Sequence, residues 1–303
     1  TVNKNLDYEK LQELLKATNR SIYVLYSMTP HWIHWNEASF ASLENVVEPE
    51  GFSVTYRNIP TGSGRDEYKR LLNEISQAGA SALVIFPDSE DADFLLDNAD
   101  LLLDFQMPIY MLNRSGGPMP LDMVSFVSTD PFGDGIYVGT LLKKNNYNNI
   151  IVINEGKEVS FWGKRRCEGL KMGLSHDATK QTNDIRFLLG TEAGMLELVD
   201  IIKQSKGDIV VVAINNEYAA KFIELCQKNK LNIPDDYKLI AFDDNPLYRS
   251  YNLTSMRIPM QEIGQVFGKM ICDNTWLSEH KGKFSIKLNS KLIVRETLKP
   301  EIL

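Results

Sequence analysis

The sequence predicts an α/β fold of parallel sheets with flanking helices, and three observations carry that prediction. Short continuous apolar runs rich in β-branched residues recur along the chain, and Ile209-Val210-Val211-Val212-Ala213 is the plainest of them. Such a run suits a strand buried on both faces of a parallel sheet. The runs alternate with amphipathic stretches of helical period, as βα units require. They also end in polar residues: Asn215 and Asn216 follow the run at 209–213, and Asp243-Asp244-Asn245 follow Lys238-Leu239-Ile240-Ala241-Phe242. In open α/β sheets ligands bind beyond the carboxyl ends of the strands. Asn215 and Asp243 are therefore expected side by side at the mouth of a site. A carboxylate with a carboxamide supplies acceptors and donors but no nucleophile, a set suited to recognising hydroxyls. The same residue types also build turns, and this stretch alone leaves both readings open.

Bulk properties narrow the class. A chain of 303 residues has room for one large or two medium domains. Its 43% hydrophobic and 24% charged content is that of a soluble globular protein. The net charge is −7 and the pI about 5.3. The longest basic cluster is Lys164-Arg165-Arg166, so the chain itself lacks the basic footprint of a nucleic-acid binder. Cys167, Cys226 and Cys272 are widely spaced and read as reduced, buried thiols. No run approaches the roughly 18 apolar residues of a membrane span, and no signal peptide is visible at Thr1.

Taken in order, Leu6 to Ala17 reads as an amphipathic helix within a linker or capping segment, residues 1–19. Ser21–Tyr26 is the first strand. The following stretch, Ser27 to Asn36, reads as a loop carrying His31, Trp32, His34 and Trp35. Trp32 and Trp35 either offer a surface on which a sugar ring stacks or anchor the loop in the core. The two histidines lack further ligands nearby, so no metal site is read. A helix Glu37–Pro49, a strand Phe52–Tyr56 and a turn Pro60–Gly64 follow. A helix Arg65–Ala78 leads to a strand Ala82–Phe86, an acidic helix Asp88–Asp104 and a strand Ile109–Leu112 that ends in Asn113 and Arg114.

After a strand at Val124–Ser128, a helix opens with Gly133-x-Gly135-x-x-x-Gly139, and Glu155 ends the next strand, Ile150–Asn154. That pattern approaches a dinucleotide fingerprint. Two features oppose it: Asp130 and Asp134 would face a pyrophosphate with like charge, and the third glycine comes one position late. The chain continues with a helix from Phe161, a strand Ile185–Leu189, a helix Gly194–Lys206 and the stretch described above. It ends with a helix Met260–Leu277 and strands near 284–288 and 292–294. There is no Gly-x-Ser-x-Gly elbow, His-Glu-x-x-His helix, Cys-x-x-Cys pair or Walker loop. No enzyme and no cofactor is expected.

The segments INNEYAA, IPDDYKLIAFDDNPL and NLTSMRIP, with the terminal IKLNSKLIVRETLKP, resemble the effector-binding core of the LacI–GalR family of bacterial transcription regulators. The resemblance runs from about Ser21 to the C-terminus. It implies a type I periplasmic-binding-protein-like fold, with two parallel-sheet lobes and three crossovers near 146, 257 and 279. The N-terminal lobe would be 20–146 plus 257–279, and the C-terminal lobe 147–256 plus 280–303. A sugar or sugar-like effector would lie in the cleft between them and favour closure. The resemblance further implies a cytoplasmic homodimer that reaches DNA only through an N-terminal domain absent from this sequence, with no membrane contact. An exported sugar-binding protein of a transporter or receptor system, periplasmic or extracellular, is the alternative.

Carried over residue by residue, the second lobe supplies Arg166, Asn215 and Asp243. Arg166 opens an Arg-x-x-Gly pattern in which Leu170 replaces the family's aromatic residue. The hinge supplies Arg257, where relatives often have glutamine. The first lobe supplies Asn113, Arg114 and Asp134, and Trp32 and Trp35 sit in a stretch that departs from the family pattern. Three arginines in one site raise the expectation of an acidic or phosphorylated sugar.

Overall fold

The computed structural model describes residues 20–302 apart from 28–29, 104, 106, 113–123, 156–159, 176–184, 206–208 and 274–283, and leaves undescribed the side chains of 30–35 and 89–90. The chain divides into two compact units, 1–128 with 260–288 and 129–259 with 289–303.

The first unit carries strands β1 (Ser21–Tyr26), β2 (Ser53–Asn58), β3 (Ala82–Phe86), β4 (Ile109–Leu112) and β5 (Val124–Thr129). Helices α1 (Pro30–Val47), α2 (Arg65–Gln77) and α3 (Ser89–Asp97) connect them. The second unit carries α4 (Pro131–Lys144), β6 (Ile150–Asn154), α5 (Phe161–Leu174), β7 (Ile185–Leu189) and α6 (Glu192–Ser205). It continues through β8 (Val210–Ala213), α7 (Asn216–Lys228), β9 (Lys238–Asp243) and β10 (Thr254–Arg257). The chain returns to the first unit for α8 (Met260–Cys272) and β11 (Ser285–Leu288), then to the second for β12 (Lys291–Ile293).

One strand order is used twice. The first sheet runs β11-β5-β4-β3-β1-β2 and the second β12-β10-β9-β8-β6-β7. Pairing is parallel from β2 to β5 and from β7 to β10, and β12 joins β10 antiparallel. In each sheet the winding direction reverses between the first and third strands, which opens a crevice at their carboxyl ends. Strands β3, β4 and β8 are buried throughout, as their apolar runs predict. The second core gathers Ile153, Val211, Ala213, Phe222 and Leu239.

Each unit is also held by one pair of helices that meet backbone to backbone. A Cβ added at Gly135 would lie 2.2 Å from the Arg166 carbonyl oxygen, and one at Gly169 would lie 2.0 Å from that of Phe132. Gly139 and Gly173 repeat the contact one turn on. Side-chain size at the contact sets the distance between helix axes, so glycines four apart on both α4 and α5 bring them together. In the first unit Gly264 of α8 does the same against Ser39 of α1, where a Cβ would lie 2.0 Å from the backbone oxygen.

The glycines at 133–139 serve helix packing and capping. Three expectations change. Residues 129–146, expected with the first lobe, group with the second unit because α4 packs along α5. Residues 280–288, expected with the second, group with the first, where the Phe126 amide donates to the Phe284 carbonyl at 2.7 Å. The stretch read as a loop from Ser27 to Asn36 is helical from Pro30, and proline suits the first position of a helix because its missing N–H has no intrahelical partner there. Among the described residues no helix is long and apolar enough to cross a membrane.

Candidate ligand site at the carboxyl ends of the second sheet

Arg166 is the centre of the site. It lies on α5, which Ser160 caps by accepting the Gly163 amide at 3.1 Å. Its Nη2 donates to Asp243 Oδ1 at 2.5 Å, and its Nη1 donates to the Ile214 carbonyl at 2.7 Å. The guanidinium carbon sits 4.9 Å from the Phe242 ring centroid and 5.9 Å from that of Trp162. Arg166 is 4% exposed and Asp243 6%. Arg166 Nε is buried with no protein partner. Desolvation cancels much of the Coulomb gain of such a pair, so it adds little to stability while being costly to break. What it provides is a fixed, directional donor set.

The backbone after β9 aims Asp243. Asp243 has φ +92° and Asp244 has φ +52°, a left-handed region that costs a residue with a Cβ about 1–2 kcal/mol. Neighbouring side chains hold this turn. Ser255 Oγ accepts the Asp244 amide at 3.1 Å, and Asn216 Oδ1 accepts the Asn245 amide at 2.7 Å. Asn216 Nδ2 in turn donates to Ser255 Oγ at 3.3 Å. Asp244 turns away and accepts from Arg257 Nε at 2.7 Å and from Arg295 Nη1 at 2.6 Å. Strain at a polar strand end, held by a buried network, commonly marks a working site.

Two further groups of the second unit complete the cluster. Asn215 caps α7, its Oδ1 accepting the Tyr218 amide at 2.9 Å, and its NH2 carries two further donors. Asp134, on the first turn of α4, is 6% exposed and accepts from Ser290 Oγ at 2.6 Å. Burial pushes its carboxyl up to about 6; the Ser290 hydrogen bond and Arg166 oppose that shift, while Asp130 and Asp243 add to it. Asn154 ends β6 at the crevice, with its Oδ1 buried and without a partner.

The structure thus brings Arg166, Asp243 and Asp134 into one charged cluster, beside the strand end where Asn215 stands. Arg257 is half-exposed and paired with Asp244, so it does not join them. Asp134 was expected from the first lobe and belongs to the second unit. Asn113 and Arg114 lie outside the described residues, as do the side chains of Trp32 and Trp35, whose backbone is in α1. Sequence reasoning missed Trp162, Asn216, Ser255 and Ser290. Trp162 had a signal, standing one helical turn before Arg166; the others are fixed only by tertiary contact. Among the described residues no three His, Cys, Asp or Glu side chains converge to hold a metal.

Comparison with known proteins agrees with the fold. A family model described as a periplasmic binding protein-like domain matches residues 140–298. The HTH-type transcriptional repressor PurR of Vibrio campbellii is 21% identical over 239 residues, which cover 77% of this chain and 61% of that protein. The chain spans less than two thirds of the length of the curated relatives it matches. The LacI-family regulator CCPA of Weissella paramesenteroides, solved with bound glucose, has a TM-score of 0.70 at 13% identity, covering 93% of this chain and 99% of that one. A LacI-family regulator of Enterococcus faecium, solved with bound ribose, has a TM-score of 0.65 at 18% identity, covering 92% and 99%. With the family model matching more than half of its residues, the chain belongs to the periplasmic binding protein-like domain family.

Proposed function

We propose that the chain is the ligand-sensing domain of a bacterial transcription regulator and that Arg166, Asp243, Asn215 and Asp134 hold a sugar or sugar-like effector. The buried Arg166–Asp243 pair, fixed against the Ile214 carbonyl at a strand end, carries this reading. It presents oriented donors and acceptors, which is the equipment of recognition. The chain is a binding domain and not an enzyme. A relative that is a transcriptional repressor and structural neighbours with bound glucose and ribose support the same reading. In the whole protein, DNA contact belongs to a further N-terminal domain. The working form is a cytoplasmic homodimer whose DNA affinity the effector shifts by binding one conformation better than another.

Titration calorimetry against a panel of pentoses and hexoses tests the proposal. At least one sugar is expected to bind wild type, and Asp243→Asn is expected to lose at least tenfold in affinity with an unchanged circular dichroism spectrum. Equal affinity in Asp243→Asn would remove the site assignment; silence across the panel would remove the sugar.

A further inference from the structure

We infer that Ser290 is a positioning residue of the effector site: from the last point at which the chain passes between the two units, it holds the Asp134 carboxyl in the cluster with Arg166 and Asp243. The inference rests on the sugar-sensing reading above and adds to it a residue that the ligand need not touch. The chain passes from one compact unit to the other at 128/129, 259/260 and 288/289. Within the second unit, the segments next to these points meet around the cluster. The first brings Asp134 on the opening turn of α4. The second contains Arg257 and Ile258. The Ile258 amide donates to the Asp243 carbonyl at 3.3 Å, and Arg257 Nε donates to Asp244 Oδ2 at 2.7 Å. The third enters through Asn289 and Ser290, and Lys291 of β12 then pairs with Arg257 of β10 in antiparallel register. Ser290 Oγ donates to Asp134 Oδ2 at 2.6 Å. One side-chain hydrogen bond thus ties the first segment to the third, and strand pairing ties the third to the second.

The backbone under Asp134 has little freedom to adjust. Gly135 lies against the Arg166 carbonyl with no room for a Cβ, and Asp130 caps α4 by accepting the Gly133 amide at 3.0 Å. What the fold leaves to rotation is the Asp134 side chain, and the bond to Ser290 takes Oδ2 and so fixes where Oδ1 points. Its length is that of a hydroxyl on an ionised carboxylate, about 2.5–2.7 Å, and such a bond favours the charged form. The groups that act on this carboxyl are Ser290 before β12, Arg166 on α5, Asp130 before α4 and Asp243 at the end of β9. Burial raises the acid to about 6, and Ser290 opposes that rise ahead of Arg166. Without the hydroxyl the acid keeps its proton to higher pH. It then presents a donor where the ionised form presents only acceptors, and a ligand rich in hydroxyls meets a different site.

Carboxyl-carbon NMR on the full chain, labelled with carbon-13, follows Asp134 without any ligand, and Asp134→Asn identifies its signal. A midpoint near pH 6 is expected in wild type, a higher one in Ser290→Ala, and a return toward wild type in Ser290→Thr, which keeps the hydroxyl. Calorimetry with D-glucose and D-ribose between pH 5 and 8 reads the consequence for binding. Affinity is expected to rise with pH through the Asp134 midpoint, because the ionised acid is the form that accepts hydroxyl hydrogens. In Ser290→Ala the rise is expected at higher pH, with a loss of about tenfold at pH 6, the size of one hydrogen bond to a charged group. A serine with only a structural role would lower the stability of Ser290→Ala and leave both midpoints in place. That result overturns this inference and leaves the sugar reading intact. Silence from both sugars at every pH takes down the sugar reading and the positioning role with it, whatever the Asp134 midpoint does.

Discussion

The two crevices at the carboxyl ends of the two sheets share a topology and differ in chemistry. Between β1 and β3, Ser27 donates its amide to the Phe86 carbonyl at 3.1 Å, and its Oγ accepts the Asp88 amide at 2.9 Å. Asp91 is 1% exposed and is hydrogen-bonded to the hydroxyls of Ser27 and Tyr68, and burial raises its carboxyl. Among the described residues that cluster consists of acid and hydroxyl groups, with Ser27, Tyr68 and Asp88 acting on Asp91. Between β6 and β8, the corresponding crevice is built around an arginine and two carboxylates. Among the described residues, one strand order thus supports a cluster of acid and hydroxyl groups, with Asp91 Oδ2 buried and unpartnered, in one unit and an arginine-centred cluster in the other. The loops and helix starts decide which, as function is grafted onto a fold rather than dictated by it.

Removing one acid from each crevice breaks this comparison most directly. Asp243→Ala leaves the Arg166 guanidinium buried without its counter-ion, and a stability loss of about 3–5 kcal/mol is expected in urea denaturation. Asp91→Ala removes a carboxyl that no cation holds. It loses hydrogen bonds but is relieved of a desolvated acid, so the expected loss is about 1–2 kcal/mol. Equal losses at both positions would mean that the first crevice also contains a charge-compensated acid. For the ligand test Asp243→Asn is the better variant, because it keeps an acceptor against Arg166.

The helix pairs give the next largest effect. Gly135→Ala drives a methyl to 2.2 Å from a backbone oxygen on α5, and Gly264→Ala drives one to 2.0 Å from a backbone oxygen on α1. Backbone cannot rotate away as a side chain does, so each is expected to lose about 2–3 kcal/mol. Gly62→Ala, where a Cβ meets nothing within 4 Å, tests only the strain of its positive φ and is expected to lose less. A small loss at Gly135 would undo the assignment of α4 to the second unit.

That assignment shows where the sequence was readable. The strands were legible because buried parallel strands need long apolar runs, and β3, β8 and β9 announce themselves. Helix α8 was expected in the first unit and lies there, whereas α4 was expected in the first unit as well and groups with the second. Helical period says that a stretch is a helix, and only the glycines four apart say which neighbour it must touch. The site was half legible for a related reason. Strand-end polarity marked Asp243 and Asn215, but counting arginines could not reveal that Arg166 and Arg257 each have an acid of their own. Pairing is a tertiary fact that no count of residues contains.

A pH series sharpens the contrast through Asp134. Its carboxyl is raised in the folded chain from the ordinary aspartate value of 3.8 to about 6, so between those values the folded state holds a proton that the unfolded state has released. Stability from this group therefore falls as pH rises from about 4 to 6 and stays low above that. Asp134→Asn lacks the buried charge. Its stability gain over wild type is expected to be about 2 kcal/mol larger at pH 8 than at pH 4.5, read from paired denaturation curves. A gain independent of pH would mean that Asp134 is not the titrating group.

The smallest effect separates the two crevices by function alone. Asp88 caps α3 by accepting the Asp91 amide at 2.9 Å, and Asn215 caps α7 by accepting the Tyr218 amide at the same distance. Replacing either by alanine removes one N-cap acceptor and is expected to cost about 1 kcal/mol. The two variants should therefore melt alike. Only Asn215 stands at the end of the strand whose Ile214 carbonyl holds Arg166, so only Asn215→Ala is expected to weaken sugar binding, by about tenfold at equal stability. If Asp88→Ala weakened binding as much, the first crevice would be part of the recognition surface, and the asymmetry between the two sheets would be one of charge and not of purpose.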